Sequence, residues 1–149
     1  MFEKFTERAK HTMMLAQEEA RKLGHEYVGT GMMLLGVVEE GGTASKILDS
    51  FGVTLETTRE EVMALIGRGS GLVRVEIPFS DDAKRVFEIA GAEAERRSIK
   101  DVAVPHLLLG LLSVQDTMAI RVFDVMGVNF EDVKKRVIEE LDKSYGTRA

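Results

Sequence analysis

No cysteine occurs in the 149 residues, so no disulfide scaffold, thiol nucleophile or thiolate metal site can be built from them. No apolar run approaches the ~20 residues that a membrane-spanning helix needs. The opening MFEKFTERAK is charged and lacks the apolar core of a secretory signal, which gives no reason to expect export. Basic residues are not in excess. The formal net charge of −5 disfavours nonspecific nucleic-acid binding, which needs a basic footprint. There is no Gly-Lys dipeptide, hence no P-loop. The histidines, His11, His25 and His106, form no HExxH or other ligand pair, and surface or capping roles are expected of them. These absences leave a soluble, cytoplasmic, helical protein with no expected catalytic centre, metal or cofactor.

What the chain does have is a repeat. Phe5-Thr6 with Ala9-Lys10 returns as Phe79-Ser80 with Ala83-Lys84, 74 positions on. The same shift carries Ala16 onto Ala90, Val28 onto Val102, and Leu34-Leu35-Gly36 onto Leu108-Leu109-Gly110. One residue is gained before Ala119, after which Ala44, Gly52-Val53 and Val62 meet Ala119, Gly127-Val128 and Val137. Matches in that order over whole halves define a duplicated unit. The expected organisation is one domain over 1–149, with a first repeat at 1–66, a glycine-rich linker at 67–78 and a second repeat at 79–145.

Each half reads as four helices separated by glycine punctuation. Thr6 is an expected N-cap, and Ala9, Met13, Ala16, Ala20 and Leu23 keep helical spacing, leaving Glu18, Glu19, Arg21 and Lys22 for water. Gly24 is the expected left-handed stop. Thr30 is placed as the cap of a second helix, apolar nearly all round and therefore buried. A third helix is expected from Thr43 to Phe51, ended by Gly52, and a fourth after the cap Thr54. In the second half Ser80 caps the first helix, Ser98 stands where Gly24 stood, Pro105 opens the second helix and Asn129 caps the last. Gly146 to Ala149 is expected to fray.

The interval between the repeats, GRGSGLVRVEIP, is glycine-rich but carries no lysine and does not lead from a strand into a helix. A flexible linker is expected at Gly67 to Gly71, followed by an extended segment in which Val73, Val75 and Ile77 alternate with Arg74 and Glu76. Met13, Met14, Met32 and Met33 are expected mainly in the core, with an adaptable peptide-binding surface as the alternative. Lys134-Lys135-Arg136 is followed by Glu139-Glu140 and reads as a salt-bridged helix face.

On MFEKFTERAK, LAQEEARKLGHEYVGT at Leu15 to Thr30, LIGRGSG, VEIPFS and HLLLGLL, the chain resembles the Clp N domain. This is the amino-terminal regulatory domain of the ClpC and ClpA class of AAA+ unfoldases. The linker wording is nearest to ClpC of cyanobacteria and plastids, which allows the plastid stroma as well as the cytoplasm. The resemblance covers essentially the whole chain and implies an all-α fold of two four-helix repeats packed about a pseudo-twofold axis. It also implies a non-catalytic, monomeric module that receives adaptor proteins and unfolded substrates for the Clp protease, while ATP hydrolysis resides in modules this chain lacks. A free-standing accessory protein that binds the protease core or the ATPase is the alternative.

Two sets of residues carry over. The family's box Gly-Thr-Glu-His, whose glutamate contacts phosphoarginine in some bacterial members, falls on Gly29-Thr30-Gly31-Met32 and Ala103-Val104-Pro105-His106. Gly31 and Pro105 replace the glutamates, so phosphoarginine recognition is expected to be lost. A second family surface falls on Phe2, Lys10, Phe79, Lys84 and Glu88, a partner-binding patch of aromatic and charged residues. Stapling of a first helix onto the core is the competing role for Phe79.

Overall fold

The structure, a computed structural model, describes residues 2–71 and 75–145. Val73 and Arg74 of the expected extended segment, and the expected fray at 146–149, lie outside the described residues. Among the described residues there are eight helices and no strand. They are α1 (Glu7–Leu23), α2 (Thr30–Glu40), α3 (Thr43–Ser50), α4 (Leu55–Ile66), α5 (Asp81–Arg96), α6 (Val104–Ser113), α7 (Met118–Val125) and α8 (Phe130–Tyr145).

Local chemistry sets most of the helix ends. Thr6 Oγ1 accepts the Ala9 N–H at 3.1 Å and Ser80 Oγ accepts the Ala83 N–H at 3.2 Å, the same cap in both repeats. Thr54 caps α4 and the Asn129 carboxamide oxygen accepts the Glu131 N–H at the start of α8. Gly24 ends α1 in the left-handed region at φ 72°, and Ser98 adopts φ 57° at the equivalent place. Few non-glycine residues sit there. Thr30 does not cap α2: Gly29 is the N-cap, and Thr30 is the first helical residue.

Each repeat packs its first helix on its second, α1 on α2 and α5 on α6. The duplicated glycine makes both packings possible. A Cβ on Gly36 would lie 2.5 Å from the Thr12 carbonyl oxygen, and one on Gly110 would lie 2.6 Å from that of Val86. The apolar second helices form the centre, with every residue from Thr30 to Val38 buried. The remaining helices cross over: α3 packs against α8 and α4 against α7, so each repeat completes the other's core.

A pseudo-twofold relation is explicit in the backbone. Phe5 bridges Val102 and Phe79 bridges Val28, both in parallel. Thr6 N–H donates to Val102 O and Ser80 N–H to Val28 O, each at 2.9 Å. The segment entering each repeat is therefore pinned to the loop after the first helix of the other.

The glycine-rich stretch is not a flexible linker. Gly69 N–H donates to Leu23 O at 2.7 Å, Gly71 N–H donates to Gly24 O at 3.2 Å, and His25 Nε2 lies 2.8 Å from Gly67 O. Beyond it Ile77 is buried, but Val75 is 91% exposed, so the expected alternation does not lay both on the protein.

One further expectation changes and two are sharpened. Glu19, assigned to water, is only 3% exposed, with Oε1 2.6 Å from Arg59 Nη2, which ties α1 to α4. Burial and the neighbouring Glu19 carboxylate push the Glu39 carboxyl above its ordinary range. Met13, Met32 and Met33 are core, whereas Met14 is 61% exposed. His106 is fully buried and takes the capping role: its Nδ1 accepts the Ala103 N–H at 2.9 Å. In the first repeat Met32 Sδ faces the Gly29 N–H at 3.4 Å in the same way.

Candidate functional site

Where the two repeats meet, four phenylalanines form one cluster. Phe2 packs edge-on against Phe79 and Phe87, with centroids 5.6 and 5.3 Å apart, and tilted against Phe5 at 4.9 Å. Phe79 and Phe87 are 5.0 Å apart. Edge-to-face geometry of this kind is stabilising beyond the area it buries. Phe5 and Phe79 are buried and anchor the two entering segments. Phe2 is half-buried, less free than its position ahead of any helix suggests.

Around the rings the duplication places matching edges. Lys10 and Lys84 are equivalent, and one turn further along stand Met14 on α1 and Glu88 on α5. Lys84 and Glu88 are exposed, and Lys10 is half-exposed with Nζ 3.1 Å from Glu7 Oε1. Met14, exposed one turn along α1 from Lys10, was not among the carried-over residues. Its signal in the sequence was an apolar residue one turn from Lys10, on the polar side of an otherwise regular stripe.

The two box positions are unlike each other. Gly31 is buried, and a Cβ there would lie 3.2 Å from Met118 Cγ and 3.6 Å from both Val62 methyls. This position is closed by apolar side chains. Pro105, in the first turn of α6, borders a cavity of about 290 Å³ shared with Thr6, Arg8, Thr43 and Glu140. Thr43 is the duplicate of Met118, so the methionine that closes the first position has no counterpart at the second. The acids near this cavity are engaged: Glu40 Oε2 lies 2.7 Å from Arg8 Nη2, and Glu140 Oε1 lies 3.5 Å from Arg136 Nη2. Neither box residue offers a side-chain acceptor.

No group of three or more His, Cys, Asp or Glu residues able to hold a metal ion occurs among the described residues. No described helix is long and apolar enough to cross a membrane.

Two interlocked helical repeats with a surface cluster of aromatic and charged groups define a duplicated all-α domain. The chain belongs to the Clp repeat (R) N-terminal domain family, whose model matches residues 4–110 and 90–148. It is 48% identical over 145 residues to rice chloroplastic chaperone protein ClpC1, covering 97% of this chain and 16% of that protein. To the Arabidopsis thaliana chloroplastic ClpC1 it is 49% identical over 139 residues, covering 93% of this chain and 15% of the relative. The chain thus spans about a sixth of the length of these curated relatives.

Among solved structures, the N-terminal domain of the caseinolytic protease associated chaperone ClpD from Arabidopsis thaliana superposes with a TM-score of 0.82 at 30% identity. The match covers 95% of this chain and 97% of that one. The Hsp104 N-terminal domain from Candida albicans shares the fold, with a TM-score of 0.79 at 17% identity, 98% of this chain and 95% of that one.

Proposed function

We propose that this chain is the substrate- and adaptor-binding regulatory domain of a ClpC-like AAA+ chaperone that feeds the Clp protease. In this reading it is a binding module and does no chemistry of its own. The observation that carries the reading is 48% identity to a chloroplastic ClpC over nearly the whole chain. The same likeness to chloroplastic proteins supports the plastid stroma over the cytoplasm as its compartment. Adaptors and unfolded proteins dock at the junction of the repeats, on Phe2, Lys10, Phe79, Lys84 and Glu88, with Met14 at the edge. Phe79 supports the ring of Phe2 from beneath, and the exposed lysines supply charge.

Recognition of phosphoarginine through the box is lost in this reading, because Gly31 and Pro105 provide no carboxylate for a guanidinium. Calorimetric titration with free phosphoarginine tests this. No saturable heat is expected, and a saturable micromolar isotherm would overturn it.

A second reading, a free-standing accessory protein bound to the protease core, is favoured by the replacement of both glutamates. The size of the native protein on an immunoblot separates the two. A product several-fold larger than this chain supports the chaperone, and one near its size supports the accessory protein.

A further inference from the structure

The duplication leaves one groove filled and its counterpart open. In the first repeat, the segment ahead of Phe79 runs along α1. Gln17 Nε2 donates to Ile77 O at 3.4 Å, Arg21 Nη2 donates to Val75 O at 3.1 Å, and Ile77 is 2% exposed. The equivalent segment ahead of Phe5 would lie along α5, because Phe5 pairs with Val102 as Phe79 pairs with Val28. It does not follow that path. Phe5 N–H donates to Phe2 O at 3.1 Å, a turn that carries Phe2 back onto the rings of Phe79 and Phe87. Glu3, the duplicate of Ile77, is exposed.

What remains beside α5 is a groove of about 620 Å³. Phe5, Phe87, Ala94, Ile99 and Val102 give it an apolar floor. On α5 the spacing of Glu88, Gly91 and Glu95 puts them on one helix face. Gly91 and Glu95 stand where Gln17 and Arg21 hold the strap on α1. A Cβ on Gly91 would meet nothing within 4 Å.

We propose that this groove receives an extended segment of a partner protein. A β-branched apolar residue of that segment takes the place that Ile77 takes in the first repeat. A lysine or arginine two residues earlier stands at the place of Val75, whose carbonyl meets Arg21 in the first repeat, and its long side chain reaches Glu95. The first repeat supplies the precedent for the path. Lys4, Lys100 and Glu88 also line the groove, but at the position of Arg21 it carries Glu95: a carboxylate cannot donate to a backbone carbonyl as Arg21 does, but it accepts from a cationic side chain. This groove adjoins the docking surface through Phe87 and Glu88 but is lined by neither Lys10 nor Lys84, and the proposal does not rest on that reading.

The test is a nitrogen-15 NMR titration of the whole chain with the peptide Ac-Gly-Lys-Ser-Ile-Pro-NH2. Saturable shifts are expected at the amides of Gly91, Ala92 and Ile99. The peptide with glutamate in place of lysine should bind at least tenfold more weakly. Gly91→Leu fills the groove without harming the helix, since glycine is the poorer helix former, and it should weaken binding at least tenfold. Glu95→Lys should do the same, while Lys46→Glu, an exposed substitution on α3, should leave binding unchanged. Absence of saturable shifts at millimolar peptide, shifts that map beside Gln17 instead, or undiminished binding by Gly91→Leu would each overturn the proposal.

Discussion

The Thr30 hydroxyl, at the first position of α2, accepts the Ala119 N–H at 3.0 Å, although 89 residues separate them. Both residues are buried. An N-terminal amide of α7 in the second repeat is thus satisfied by a side chain of the first. The duplicate positions are Val104 and Ala44, where no hydroxyl is available, so the two halves are not joined symmetrically.

Thr30→Val keeps the shape of the side chain and removes the acceptor. It should destabilise the domain by about 1–2 kcal/mol, the cost of a lost cap and a buried unpaired amide. Thermal unfolding checks this, with a fall of roughly 3–6 °C expected for a chain of this size. No change would mean that water or another group takes over the Ala119 amide.

Gly36→Ala and Gly110→Ala should each be more harmful than their size suggests. The added methyl meets a backbone carbonyl oxygen at 2.5 or 2.6 Å, and a backbone cannot step aside as a side-chain tip can. A cost of about 1–3 kcal/mol is expected from overpacking, measured by urea unfolding. Gly91→Ala is the internal control, because its Cβ meets nothing within 4 Å. It should be neutral or stabilising through helix propensity.

Acid should weaken the fold in a window set by His106. Burial, with the nearby Arg97 charge, lowers its pKa to about 4. The unfolded chain takes up this proton near pH 6.5 and the native state resists it until about 4, so stability is present above the unfolded value and lost as pH falls between the two. The slope approaches about 1.4 kcal/mol per pH unit in the middle of that window. Glu39, whose carboxyl is raised, acts in the opposite sense just above its unfolded value. His106→Gln retains an acceptor for the Ala103 N–H without a titrating ring. The difference between the two proteins' unfolding free energies at pH 7 and pH 5 isolates the histidine, and the variant should lose less stability on acidification.

The repeat, the glycine stops, the caps Thr6, Ser80, Thr54 and Asn129, and the buried second helices were all legible in the sequence. The stops, caps and burial pattern depend on residues within one or two turns of one another, and the repeat on a fixed offset of 74 or 75 positions. Thr30 was misread because its hydroxyl is suited to a local cap, while its actual partner, the Ala119 N–H, comes from the other repeat. Glu19 was misread because one helix's periodicity cannot show that Arg59 of α4 lies over its polar face. The glycines at 67, 69 and 71 suggest freedom when read singly. A Cβ on Gly69 would lie 2.2 Å from Gly24 O, so the glycine there permits close contact instead. At the candidate surface, the exposure of Met14 and the contact of Phe2 with three other rings needed the packing of α1 and α5.

The central claim is that the exposed charge and aromatic edge at the repeat junction bind unfolded proteins. Fluorescence anisotropy of labelled β-casein, an unfolded protein, with this domain and its Lys84→Glu variant is the most direct measurement. Lys84 is exposed, so the variant should melt within about 2 °C of the parent, as expected for a surface substitution. The expected result is saturable binding by the parent and an affinity about tenfold lower for the variant, a loss of ~1.4 kcal/mol. Equal binding by the two proteins, or none by the parent, would contradict the claim.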